Sequence, residues 1–492
     1  MSYEFSEEEQ ELWDTVQSST GREKAEALGK LAEMKLAENK YSQAETFAAE
    51  SVSEYRAIGD GQGIGEGLFF RGKALKALKD PAQALGCFEE SAEVFRASSN
   101  EFFLSCVVAE QGRCYKELGQ WNLASRSFDN ATTLFASSES WENAGVSALE
   151  SAECALETKD YVSAEMRASQ GFDYLVQDEN SFLVATALGL RAKSQIGQGN
   201  YESAISDLTE SLNIAKYLSF GKMIADTLAE LTWAYICAGQ LELASKYLAE
   251  SRVIHQDAKG VAGLAECDYL AGCIAVENED YAEAIEFFEA ARSGFRTKNN
   301  KQRVFDCGFN IAKTWTHMDP IKAAAAFDSV LKQATDSKLL IDDHTIYLLQ
   351  AQNFVDLTWG DSALAALANI DVDLLPDQGF KAQMVLLKAQ VYFYQRNFSG
   401  AIDELQFVLG ANALPANKET LLKAKETLGR AYFGEQQYRS AIDSLTPVLL
   451  DYTLADSQFE AKLVAEIIQE AKHGLETQQL ANQPQLWEEE GF

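Results

Sequence analysis

Apolar and polar residues follow one another along this chain with a helical period, and that pattern itself repeats. An aromatic or apolar residue followed three positions later by alanine occurs at Tyr41/Ala44, Pro81/Ala84, Trp121/Ala124, Tyr161/Ala164, Tyr201/Ala204, Leu241/Ala244, Tyr281/Ala284 and Ile321/Ala324, each 40 residues after the last. The phase slips across a weak stretch and returns at Phe398/Ala401 and Tyr438/Ala441, again 40 apart. A fixed period of this size is the mark of a repeat architecture. In the third unit Val108, Gly112, Tyr115 and Leu118 share one face, Gly119-Gln120 interrupts, and Ala124, Phe128, Ala131 and Phe135 share another. Each unit is therefore predicted to be a helical hairpin. Small residues recur in the middle of the first helix (Ala32, Gly72, Gly112, Ala152, Ala192, Gly272, Ala312, Ala389, Gly429), where they let a neighbouring helix approach. Phe88, Phe128, Leu208, Leu248, Phe288, Leu405 and Leu445 on the second helix fill the gap between helix pairs. A lone hairpin cannot bury both faces, but a stack can.

These offsets of small residue, aromatic, alanine and phenylalanine resemble the tetratricopeptide repeat. The third unit carries the set in full as Gly112, Tyr115, Ala124, Phe128 and Ala131, while Thr232 replaces the small residue in the sixth and Pro81 the aromatic in the second. The period exceeds the usual length of about 34 residues. The extra residues are expected in longer helices and in links between hairpins such as Ala57-Ile58-Gly59-Asp60-Gly61-Gln62-Gly63-Ile64-Gly65-Glu66-Gly67. In this the chain is similar to the longer subclass found in spindle-orientation adaptors and bacterial peptide-responsive regulators. The resemblance spans roughly residues 25 to 450. It implies an all-α fold, a right-handed α-solenoid of stacked hairpins whose first helices line the concave side.

Along the chain, residues 1–22 form an acidic segment with Trp13 and Val16 that is expected to cap the first repeat, and 23–336 hold repeats one to eight. A degenerate repeat containing Pro376 occupies 337–378 and is expected to bend the stack; two further repeats follow in 379–454. Residues 455–479 read as an amphipathic helix covering the last hydrophobic face, and 480–492 as a mobile acidic and aromatic tail.

Composition sharpens this picture. Six prolines in 492 residues leave long helices unbroken. With 42 Lys+Arg against 75 Asp+Glu the formal charge is −33, so neither nucleic acid nor an anionic membrane is an expected partner. No apolar run approaches the roughly 20 residues of a membrane span. The first residues lack the basic-then-apolar order of a secretory signal, and a cytoplasmic location is expected. The 8 cysteines lie inside helical patterns without a C-x-x-C pair, and the 4 histidines fall in different units without a metal-ligand spacing. The glycines of 59–67 do not make G-x-G-x-x-G, and no P-loop, G-x-S-x-G or H-E-x-x-H sequence occurs. Neither an enzyme, nor a cofactor, nor a metal is predicted.

What remains is surface. One residue beyond the small column, the first helices carry Glu33, Lys73, Arg113, Glu153, Lys193, Trp233, Cys273, Lys313, Gln390 and Arg430, of which five of ten are basic. Lys76 and Lys116 lie one turn farther along the same faces. Two readings of this column stand side by side. Its cations either pair with nearby acids such as Glu66 and Glu117 on solvated faces, or they line a groove that receives an acidic peptide. The carboxylate-clamp pattern of chaperone-binding relatives is not reproduced. The tail Leu486-Trp487-Glu488-Glu489-Glu490-Gly491-Phe492 likewise reads either as a plain terminus or as a docking segment anchored by Trp487 and Phe492, on a partner or on another copy of the chain. The expected function is a protein-interaction scaffold or adaptor for protein or peptide segments. The alternatives are a peptide-responsive regulator and a structural subunit of a larger assembly.

Overall fold

The structure, a computed structural model, describes residues 6–177, 180–337, 339, 343–372, 378–409 and 416–481. Pro376, Trp487 and Phe492 lie outside the described residues. The chain divides into two compact units, Met1–Gly263 and Leu264–Phe492.

In the first unit α1 (Glu7–Ser18) precedes six hairpins. Their helices are α2 (Arg22–Ala37) with α3 (Tyr41–Ile58), α4 (Gly61–Ala77) with α5 (Pro81–Ala97), and α6 (Glu101–Glu117) with α7 (Trp121–Ser137). Next come α8 (Trp141–Glu157) with α9 (Tyr161–Gln177), α10 (Ser181–Gly197) with α11 (Tyr201–Tyr217), and α12 (Gly221–Cys237) with α13 (Leu241–Asp257). Helix α14 (Val261–Glu277) pairs with α15 (Tyr281–Thr297), and the second unit continues with α16 (Lys301–Thr316) and α17 (Pro320–Ser337). The stretch read as degenerate holds a short hairpin, α18 (Asp343–Asp356) with α19 (Gly360–Ala368). Then follow α20 (Gln378–Tyr394) with α21 (Phe398–Leu409), α22 (Lys418–Gly434) with α23 (Tyr438–Leu454), and the terminal α24 (Gln458–Ala481). The fold is all-α, a helical-repeat solenoid in each unit. Among the described residues no helix is long and apolar enough to cross a membrane.

Most helices are 17 residues long with three residues between them, so a helix begins every 20 residues. From Tyr41 to Tyr281 the aromatic or apolar column of the sequence is the first residue of the second helix, and its alanine partner is wholly buried at Ala44, Ala84, Ala124, Ala164, Ala204, Ala244 and Ala284. Most of the described three-residue connections close in the same way. The N–H groups of Asp60, Asp80, Asn100 and Gln120 donate back to the carbonyls of Tyr55, Leu75, Phe95 and Tyr115, a Schellman closure that satisfies the helix end. The residue before each donor is left-handed, whether glycine (Gly59, Gly119) or not (Lys79, Ser99). Asp60, Asp80 and Asn100 then cap the next helix with their side chains.

Two expectations are corrected here. The glycine-rich stretch is not an extended link: α3 runs to Ile58, Gly59 and Asp60 turn the chain, and Gly61 to Gly67 are the start of α4. A Cβ at Gly63 would stand 2.3 Å from the Tyr55 ring and one at Gly67 2.8 Å from Val52 Cγ2, so close packing on α3 explains these glycines despite their poor helix propensity. In the eighth unit the register slips by one residue, because α16 ends a residue early and α17 begins at Pro320. Ala323 and Phe327 are wholly buried there, while Ile321 is exposed.

Packing joins two columns that the sequence showed separately. A Cβ at Gly72, Gly112, Gly272 or Gly429 would lie 2.6, 2.8, 2.7 or 2.4 Å from Phe88, Phe128, Phe288 or Leu445, so each small residue is the seat of the large side chain 16 positions later. A further column was missed. Ser51, Ser91, Ser211 and Ser251 are buried and donate to the carbonyls of Ala25, Gly65, Ala185 and Ala225, tying second helix to first within the hairpin. At the N-terminus α1 lays Leu12, Trp13 and Val16 on Leu28, Leu31 and Phe47. Glu9 is buried there and paired with the equally buried Lys35 of α2.

Candidate functional site

The first helices of the unit Met1–Gly263 present the predicted column as follows. Lys76 of α4 pairs with Glu110 of α6, which also accepts from Arg113 Nη1 at 2.7 Å. Arg113 reaches on to Glu150 of α8 with Nε 3.0 Å from Oε1. Lys116 pairs with Glu153 of α8, and Lys193 of α10 lies 2.8 Å from Glu230 of α12. Lys73 stands 5.5 Å from the centre of the Phe69 ring, and Trp233 of α12 is 39% exposed, so its indole is open to a partner. The acids that hold the column are Glu110, Glu150, Glu153 and Glu230, not Glu66 or Glu117. They sit on the next first helix, 34 residues beyond Lys76 and 37 beyond Arg113, Lys116 and Lys193, about two turns and one turn short of a full repeat. That spacing was a signal available in the sequence.

The charges differ in setting. Glu110 is buried, and burial pushes its carboxyl pKa up, but Lys76 and Arg113 together outweigh burial and hold it below its ordinary value. At Glu150 burial prevails over Arg113, and the carboxyl is held above its ordinary value. The Lys193 ammonium is stabilised first by Glu230 and held above its ordinary value. Arg113 is thus not a free groove cation, since it compensates a buried carboxylate.

In the unit Leu264–Phe492 the remaining predicted residues are more separate. Lys313 of α16 stands 5.9 Å from the Phe309 ring centre, and Arg430 of α22 lies 2.5 Å from Glu426 on its own helix. Arg303, absent from the predicted set, is the more embedded cation. It pairs with Glu266 and covers the Tyr269 ring at 4.1 Å.

Groups with other chemistry serve packing. His317 stacks on Tyr281 with ring centres 4.7 Å apart. Burial pushes the thiols of Cys114 and Cys307 up to about 12 and that of Cys154 up to about 11, so they stay protonated at neutral pH.

No family model matches the sequence, and no curated protein matches it. Solved structures similar to the chain include the apo form of RapI, at 14% identity over 55% of this chain and 97% of that one with a TM-score of 0.49. Aspartyl phosphate phosphatase F from Bacillus subtilis is similar at 13% identity over 76% of this chain and 97% of its own, with a TM-score of 0.48. The apo form of the quorum sensor NprR from B. thuringiensis is similar at 13% identity over 70% of this chain and 96% of its own, with a TM-score of 0.47. The hairpin packing described above, with its small residue seating a large side chain 16 positions on, makes the chain a helical-repeat protein of the tetratricopeptide type.

Proposed function

We propose that the chain is a non-enzymatic interaction scaffold that binds acidic protein segments along the first-helix faces of its repeats. The observation that carries this reading is the set of ion pairs on the first helices, which join α4 to α6, α6 to α8 and α10 to α12 and leave Lys116 and Lys193 at half-exposed positions. An acidic segment laid on this face competes with Glu153 and Glu230 for Lys116 and Lys193. Binding is then an exchange of carboxylates, sensitive to salt. Lys73, Lys116, Lys193 and Trp233 contact the partner in this reading, Lys76 and Arg113 stay on Glu110 and hold the face in place, and Lys313 and Arg430 serve the second unit.

Copurification followed by mass determination identifies the partner, and titration tests the exchange. Glu153→Gln with Glu230→Gln frees two cations and is expected to tighten an acidic partner about two- to thirtyfold, because each exposed pair is worth roughly 0.2–1 kcal/mol. Lys73→Glu with Lys116→Glu is expected to weaken it by a similar factor. Wild-type affinity in both double variants would sink the reading.

The terminal segment with Trp487 and Phe492 is assigned a docking role on the strength of three acids placed between two large aromatics. Deleting residues 481–492 is expected to leave the melting curve unaltered and to change binding or self-association. A truncated chain that binds and assembles like the intact one returns the segment to a plain terminus.

A further inference from the structure

The N-terminal end of the first-helix face differs from the rest. Helices α2, α3 and α4 there surround a pocket of about 510 Å³, with Phe103 of α6 at its edge. Its walls combine the rings of Tyr55, Phe70 and Phe103 with the carboxylates of Glu26, Glu33 and Glu66. Glu26 and Glu33 stand two turns apart on one face of α2. Gly29 lies between them, and without a side chain it leaves the pocket open at that level. Glu66 and Phe70 follow one another at one-turn spacing on α4.

The charges within the lining do not cancel. Arg22 is taken by Asp60 at 2.5 Å, and Asp60 also caps α4. Among the described residues Glu26, Glu33 and Glu66 have no ion-pair partner, and Lys30 is the one other cation of the lining. Farther along the same face each of Glu110, Glu150, Glu153 and Glu230 holds a cation. The field of the pocket registers on its own wall. Burial first, and then the carboxylates of Glu26, Glu66 and Asp60, push the Tyr55 phenol up to about 12.

We infer that this pocket receives an arginine side chain from a bound protein segment. Carboxylates supply the countercharge, and flat aromatic faces suit a planar, weakly hydrated guanidinium better than a compact ammonium. The inference deepens the scaffold reading and rests on it. It adds a requirement of opposite sign, so that the partner segment carries arginine at one end and acids along the part lying over Lys73 to Lys193.

Panning a random dodecapeptide library on the full chain at physiological salt tests this directly. Arginine is expected at one fixed position of the selected peptides. That selection is expected to vanish for the Glu26→Gln, Glu33→Gln, Glu66→Gln variant and to persist for Glu202→Gln, Glu242→Gln, Glu283→Gln. The second set makes the same charge change at exposed acids elsewhere. In a selected peptide, citrulline in place of the arginine is expected to weaken binding about tenfold or more, the loss of a charge-assisted contact. Peptides selected without arginine, or equal loss in both variants, would overturn the inference, the latter by showing general attraction to an acidic chain. No arginine selection on the wild-type chain, with the effect of Lys73→Glu and Lys116→Glu intact, would remove the pocket alone and leave the scaffold reading standing.

Discussion

Gly112→Leu is expected to destabilise the chain by on the order of 1–3 kcal/mol, at the upper end of that range, because nothing around the new side chain can move aside. Even the first added carbon would stand 2.8 Å from the Phe128 ring, and Phe128 is wholly buried between the hairpins. The pair can be tested as a unit. Phe128→Ala alone removes a buried ring at a cost of about 3–5 kcal/mol. Combined with Gly112→Leu it is expected to cost less than the sum of the two, since the leucine enters the space the ring vacates. Gly86→Ala is the control. That glycine is also inside a helix, but a Cβ there meets nothing within 4 Å, so the better helix propensity of alanine is expected to stabilise by about 1 kcal/mol. Thermal unfolding reads all four variants. A Gly112→Leu protein that melts with the wild type would contradict the seat-and-ring packing.

Lys35→Met is expected to have the other large effect, and a different character. It strands the Glu9 carboxylate, which is buried and has Lys35 as its countercharge. An uncompensated buried charge costs about 3–5 kcal/mol when a salt bridge loses one partner. The chain has a cheaper way out: α1 can leave the surface as a body, exposing Leu12, Trp13 and Val16. The loss is therefore limited to the docking energy of α1, and the expected readout is a red-shifted Trp13 emission and faster amide exchange over 7–18 without a matching fall in global stability. Glu9→Met with Lys35→Met is expected to restore docking, because both charges go together. If the single variant keeps protected amides over 7–18, the buried pair does not hold the helix down.

The fold was largely legible because its signal is written once per repeat. The Tyr41 to Tyr281 column marks true helix starts, and Ala44 to Ala284 mark true burial. Connections were less legible. Lys79, Ser99, Glu139 and Lys159 all adopt positive φ, and such residues give no sequence sign of a left-handed turn. Glycines misled for the converse reason: Gly63, Gly65 and Gly67 read as loop, yet they lie in α4, where side chains from neighbouring helices take the room. The one-residue slip at Pro320 was hidden by consecutive alanines at 323 to 326, any of which fits the column. On the first-helix face the cations were readable from position. Their intramolecular acids lie on the next hairpin, 34 and 37 residues away, and the pocket at Glu26 and Glu66 needs two helices from different hairpins.

The spacing of the left-handed residues at 59, 79, 99, 119, 139 and 159 limits how such a chain can change its length. One residue added within a helix turns everything beyond it by about 100°, carrying buried alanines to the solvent side. Three-residue connections hold no slack to absorb the error, since every one is closed by hydrogen bonds to the helix it leaves. The short α16 shows the tolerated alternative, a loss at a helix end that the next helix takes up by starting afresh. Insertions and deletions in descendants of this sequence are thus confined to helix ends or to whole multiples of the hairpin, and the number of hairpins becomes the natural unit of its evolution.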